Sequence, residues 1–227
     1  MTTDEPGPTV LWLREAKPRA ARRAEPLTPE RIVAAAVAEL DEHGADRLTM
    51  RRLAQRLDVT STALYWHVAT KEDLHDLVLD HVLGEVPIPP GDADPRAALR
   101  VLVLGWRSAM LAHPWSARMV GRPMLGPNVL ARTEFLQATL SRAGLSGIDL
   151  ASAGSLLAEF VIGAVVTETT WRQLDDPAVR AAARDHVAGH ADRYPTLSAT
   201  GFVARDQWSD TELFEHGLDR LLDAVLP

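Results

Sequence analysis

Apolar residues at Ile32, Ala35, Ala36 and Leu40 recur at the spacing of a helix with one buried face. Thr28-Pro29-Glu30 opens that helix with a capping hydroxyl, a proline at the first helical position and an acid in the first turn, and Gly44 stops it. Thr49 can cap a second helix whose inward face is Leu53 and Leu57. Asp58-Val59 then makes a turn, and Thr60 or Ser61 caps a third helix of roughly two turns. Thr70 caps a fourth, with Glu72 and Asp73 in its first turn and Leu74, Leu77, Val78, His81 and Val82 as its buried stripe. Pro87, Pro89, Pro90 and Gly91 end it.

Beyond Asp94 the same periodicity predicts helices over 95–112, 126–143, 149–172, 177–190 and 209–225, with a short turn near 115–120. Residues 192–208, with Pro195 and Gly201 among serines and threonines, read as a long surface loop. Strand-like alternation is essentially missing, so the expected class is all-α. The predicted division is a flexible basic arm over 1–27, a three-helix DNA-binding unit of helix-turn-helix type over 28–86, and a helical effector-binding and dimerisation domain over 87–227.

Composition narrows the classes. The chain has 227 residues, 46% hydrophobic and 24% charged, as in an ordinary globular protein. It has no cysteine, which leaves no disulfide framework, thiolate metal site or cysteine nucleophile. No uninterrupted apolar run reaches the ~18–20 residues of a membrane span, and no charged start precedes an apolar core at the N-terminus. A cytoplasmic protein without a membrane partner is the expectation.

The net charge of −7 is unevenly spread: residues 1–27 carry +1, residues 28–71 balance, and residues 72–227 carry −8. Arg47, Arg51, Arg52 and Arg56 cluster in the balanced stretch. A positive face of this kind engages phosphates while an acidic body repels the duplex and orients docking.

The stretch LTMRRLAQRLDVTSTALYWHVATK, from Leu48 to Lys71, therefore has the layout of a helix-turn-helix: one helix braces on DNA backbone and the next lies in the major groove. Ala63 and Leu64 must pack on Leu53 and Val59, which leaves Ser61, Thr62, Tyr65 and His67 to face the groove. Hydroxyls can read base edges, and the Thr62 methyl can touch a thymine methyl. Tyr65 and Trp66 are either core aromatics or flat surfaces for sugar and phosphate; the neighbouring His67 and the hydroxyl run favour the second. Lys71 is placed for a phosphate at a helix start. Thr49, Arg51, Arg52 and Thr60 complete the candidate DNA-contacting set. In the arm, Arg14, Lys17, Arg19, Arg22 and Arg23 either reach an adjacent minor groove or form a solvated tail.

On these residues, from Thr49-Met50-Arg51-Arg52-Leu53-Ala54 through Thr62-Ala63-Leu64-Tyr65-Trp66-His67-Val68 to Lys71, the stretch 28–86 resembles the N-terminal domain of the TetR family of bacterial transcriptional regulators, in its tetracycline-repressor-like class. The resemblance implies a homodimer, an all-α ligand-binding body, and release from palindromic double-stranded operator DNA when a small effector binds. It implies that Arg51 reads a base and that Tyr65, Trp66, His67 and Lys71 grip backbone and groove. Met50, Ser61, Thr62 and Ala63 depart from that class at base-facing positions, so a different operator is expected.

In the body, Phe214, Gly217, Leu218, Leu221, Leu222 and Val225 form a helical stripe, and the 149–172 helix is apolar nearly all round. Small residues at Ala153, Gly154, Ala158, Gly163 and Ala164 suit close helix approach within a core or between subunits, and the resemblance favours the subunit interface. Trp106, Met110, Trp115, Met119, Met124, Phe135, Phe160 and Trp171 are the candidate lining for a flat hydrophobic effector. Pro87 and Met119 stand where the tetracycline-responsive class places histidines for a magnesium–drug chelate, so no metal or other cofactor is expected, although Gly121-Arg122-Pro123 is kept. Two other readings stand beside the repressor: an activator or ligand-independent regulator, and an all-α enzyme. The best polar cluster for the latter, Asp185, His186 and His190, has i, i+4 histidines but no third ligand of metal-site spacing.

Overall fold

The computed structural model describes residues 26–119, 124–173, 176–201 and 208–227, and among them every regular element is a helix. Helix α1 (Pro29–His43) starts where the Thr28 hydroxyl accepts from the Arg31 N–H at 3.2 Å. It ends at Gly44, whose φ of 78° lies in the region glycine tolerates. One turn of 3₁₀ helix leads to α2 (Met50–Arg56), capped by Thr49, and then to α3 (Ser61–Tyr65), capped by Thr60. Asp58 makes the turn between them at φ 54°, a left-handed conformation that a short polar side chain accepts better than most. Ile32, Ala36, Leu40, Leu48, Leu53, Leu64 and Leu74 close the small core that holds these helices together.

Helix α4 (Lys71–Gly84) begins with a reciprocal capping box between Thr70 and Asp73. Its inward stripe is Leu74, Val78, Leu79, Val82 and Leu83. The predicted stripe is corrected at two positions: Leu77 is only half-buried and His81 is exposed. At 100° per residue both lie on the flank of a face centred on Val78 and Val82.

The body packs α5 (Pro95–Ala112), α6 (Pro127–Arg142), α7 (Gly147–Gln173) and α10 (Asp210–Val225) around Leu99, Leu102, Met110, Leu140, Leu157 and Leu218. Arg96 and Arg100 of α5 tie to Glu215, Asp219 and Asp223 of α10. Helix α7 is long and apolar enough to cross a bilayer by length and composition. Here one face packs into the bundle through Ala153, Leu157, Val161 and Val165, while Leu156, Val166 and Trp171 are exposed.

Helix α8 (Pro177–Ala188) buries no residue and packs against α9 (Pro195–Thr200). The loop predicted over 192–208 is thus corrected in its first half, where Pro195 starts a short helix that Gly201 ends at φ 60°.

Ser209 and Glu212 form a second capping box at the start of α10, and the hydrogen bonds from Ser209 hold the Glu212 carboxyl below its ordinary value. A lowered carboxyl stabilises the fold above its unfolded-state value and loses that contribution as the pH falls through its folded one. Glu212→Ala is therefore expected to lower the melting temperature at pH 7, by an amount that shrinks as the pH is lowered through the acid range, as thermal melts followed by circular dichroism will show.

A candidate DNA-reading face and its helical body

Only Leu64 of the five residues in α3 is buried, and it anchors the helix, which packs against α2, in the core. With that side chain inward, Thr62 is exposed, Ser61 is half-exposed, and both Tyr65 (51%) and Trp66 (77%) stand in solvent. The two aromatics are therefore not core. Thr49, Arg51 and Thr60 are also exposed, while His67 and Lys71 are half-exposed. The hydroxyls of Thr49 and Thr60 each accept one backbone N–H bond at 3.2 Å, which commits one lone pair to capping and leaves the O–H as a donor.

The arginines divide by partner. Arg52 approaches Glu39 of α1 at 2.8 Å through Nε, and Arg56 reaches Glu39 at 3.2 Å as well as Glu42. Bonding between Arg56 and Glu42 holds the carboxyl below, and the guanidinium above, their ordinary values. Glu39 is 4% exposed, so these pairs brace α2 on α1. The same ion pairs account for Glu39, Glu42 and His43, whose ligand atoms converge within 4.8 Å of one another as a metal site would require. Sequence reasoning placed Arg52 on the DNA face without seeing this pairing, because Glu39 lies thirteen residues away on another helix. Asp185, His186 and His190 form no converging trio: the two imidazoles lie 4.7 Å apart, and the His190 ring bonds the His186 carbonyl.

Head and body meet through polar contacts. Asp41 of α1 accepts from the Trp115 indole at 2.6 Å and lies 2.8 Å from His113 Nδ1, whose other ring nitrogen faces Glu85 at 3.4 Å. Deep in the body, Arg107 donates to Glu168 at 2.6 Å and lies 4.9 Å over the Phe214 ring.

The eight candidate effector residues are spread over α5, α6, α7 and the segment that joins α5 to α6. Met110 and Trp115 are buried, and Trp106, Met119, Met124 and Phe135 are half-buried against the core. Trp115 faces the head through Asp41. Phe160 stacks on Phe214 at 4.9 Å beside an open groove of about 390 Å³ between α7 and α10, and Trp171 is 47% exposed. Gly121-Arg122-Pro123 and the basic residues of the arm lie outside the described residues.

A rigid tri-helical head with a polar-aromatic face, carried on an α-helical body, defines a helix-turn-helix transcriptional regulator. Residues 32–78 match the bacterial regulatory proteins of the tetR family and residues 87–226 match the tetracyclin repressor-like C-terminal domain, so the chain belongs to the TetR family. It is 40% identical over 200 residues to an HTH-type transcriptional regulator of Saccharopolyspora erythraea, covering 87% of this chain and 84% of the relative. It is 30% identical over 232 residues to the HTH-type transcriptional repressor DrrR1 of Streptomyces coeruleorubidus, covering 95% and 83%. Among solved structures it is similar to the TetR family protein ActR of Streptomyces coelicolor in complex with actinorhodin, with TM-score 0.78, 31% identity, and coverage of 88% of this chain and 97% of that one. Regulators of this family work as dimers on DNA and respond to small ligands. The family is one of transcriptional regulators rather than enzymes.

Proposed function

We propose that this chain is a cytoplasmic, non-catalytic repressor that binds a palindromic operator as a homodimer and leaves it when a flat hydrophobic effector binds the body. One observation carries the reading: Thr62 and Tyr65 project from a five-residue helix, and Trp66 from its C-cap, with Leu64 as the single buried side chain that fixes the helix. That is an arrangement for groove contact, and it serves no packing purpose. Residues 28–86 form the reading unit in this account and residues 87–227 the sensing and pairing unit. Thr49, Arg51, Thr60, Ser61, Thr62, Tyr65, Trp66, His67 and Lys71 touch DNA. Arg52 keeps a phosphate within reach while its Nε edge is held by Glu39.

The effector class rests on Trp106, Met110, Met119, Met124 and Phe135, which lie on or between α5 and α6, and on the likeness to a regulator solved with actinorhodin. The exposed faces of α7 and α10, with Leu156, Val166, Trp171 and Leu213, supply the apolar surface for pairing.

Selection of duplexes from a random pool, followed by titration of fused-ring aromatic compounds against the bound complex, tests both halves. Enrichment of a palindrome and its release by a compound is expected; a monomer with no sequence preference would falsify the reading. Arg51→Ala is expected to cost about 1–3 kcal/mol of operator affinity and to relax preference at a single base position. Loss spread evenly over all sequences would instead make Arg51 a phosphate contact.

A further inference from the structure

Two helices that belong to different parts of the molecule are locked end to end. Helix α6 starts at Gly126, which offers no capping side chain, so its first N–H groups need partners from elsewhere. They find Asp80 of α4, whose Oδ1 accepts from the N–H of Asn128 and of Val129 at 3.0 Å each, while Oδ2 accepts from the Asn128 amide at 3.0 Å. Asp80 is 5% exposed, and the positive end of α6 is what makes a carboxylate tolerable there.

One turn further along α6, Arg132 returns the contact. It donates to the carbonyls of Gly84, the last residue of α4, and of Val86 just beyond it, and to Asn128 on its own helix. Burial pushes this guanidinium below its ordinary value, against the pull of Asp80.

Both backbones are cut away to let the ends meet. A Cβ at Gly126 would stand 2.1 Å from Asp80 Oδ1, a distance no real side chain tolerates, and one at Gly84 would stand 3.0 Å from the Asn128 side chain. Helix α4 meanwhile shares the head's core through Leu74 and Val78, and its first residue, Lys71, follows the end of the reading helix, Tyr65, by a short turn.

We infer that Asp80 and Arg132 are positioning residues for DNA recognition: their clasp, seated on Gly84 and Gly126, sets the angle of α4 and with it the placement of the reading head on the body. This rests on the reading under Proposed function. Asp80 lies about 14 Å along α4 from Lys71, so a tilt of about 5° at the clasp displaces the Lys71 end by roughly 1 Å. A body that holds that angle loosely offers DNA a wide spread of head positions, of which few match both half-sites.

The chain has no cysteine, so a label pair can be added at two exposed sites, Ala34→Cys on α1 and Ser141→Cys on α6, and diluted into unlabelled protein for pulsed electron paramagnetic resonance. The unaltered clasp is expected to give one narrow head-to-body distance. Asp80→Asn, Arg132→Met and Gly126→Ala are each expected to broaden it and to weaken binding to the selected operator at least tenfold. Their affinity for non-specific duplex at low salt stays unchanged, because the head itself is intact. Should a variant fail to fold, Arg132→Lys keeps the charge with a single donor group and is expected to broaden the distance partly. A narrow, unshifted distance with unchanged operator affinity, even at a lowered melting temperature, overturns the inference and leaves the clasp a packing contact. If the unaltered protein prefers no sequence, the DNA reading falls, and the distance measurement still decides the clasp.

Discussion

Glu168→Ala is expected to remove roughly 3–5 kcal/mol of folding stability, because it strands the Arg107 guanidinium inside the body. The Glu168 side chain is 4% exposed and that of Arg107 10%, and they meet at 2.6 Å. The remaining neighbours of Arg107 are poor replacements for a carboxylate: the Thr211 hydroxyl at 3.4 Å and the face of Phe214 at 4.9 Å. Arg172, the second partner of Glu168, is 61% exposed and can turn to water, so its loss matters less. For a protein whose total stability is of the order of 5–15 kcal/mol, the change takes a large share. Replacing both partners, Arg107→Met with Glu168→Leu, is expected to recover most of the loss, since an apolar pair of similar volume needs no compensation. Urea unfolding of the two variants decides it. A loss below about 1 kcal/mol for Glu168→Ala means that water reaches the guanidinium and the pair is not a buried one.

The second large effect is expected in the head. Leu64 is fully buried and is the sole inward residue of α3. Leu64→Ala leaves a cavity worth about 2–5 kcal/mol and removes the peg that orients the helix. Operator binding should fall with it, since each ~1.4 kcal/mol of misplacement costs a factor of ten. Trp66→Ala gives the contrast: at 77% exposure it should leave the melting temperature within about a degree or two of the parent and still weaken binding. If Leu64→Ala binds operator normally once refolded at low temperature, α3 is not held by its core contact.

Much of the architecture was legible because it rests on local rules. Pro95–Ala112 coincides with the predicted fifth helix, and Thr28, Thr49, Thr60 and Thr70 cap where hydroxyls precede periodic apolar runs. Helix α9 was not legible: six residues give too little length for a period to show, and its proline and threonines look like loop. The exposure of Tyr65 and Trp66 was read from the neighbouring His67 and the hydroxyl run, and the burial of Leu64 accounts for it, since residues adjacent in a helix cannot all face inward. Arg52–Glu39, Trp115–Asp41 and Arg132 with the end of α4 were invisible, because each joins residues distant in sequence whose spacing carries no signal. The effector lining was the least legible part. Large apolar side chains signal burial, but neither their hydrophobicity nor their spacing says whether they share one wall, and Trp171 is exposed while Met110 is buried.

The economy of α3 has an evolutionary consequence. Thr62 and Tyr65 stand in solvent, and under the proposed reading they touch DNA, so single codon changes there are expected to alter which promoter is recognised while the scaffold keeps its stability. Descendants of such a gene can acquire new regulons quickly, whereas a change of inducer must negotiate a crowded interior.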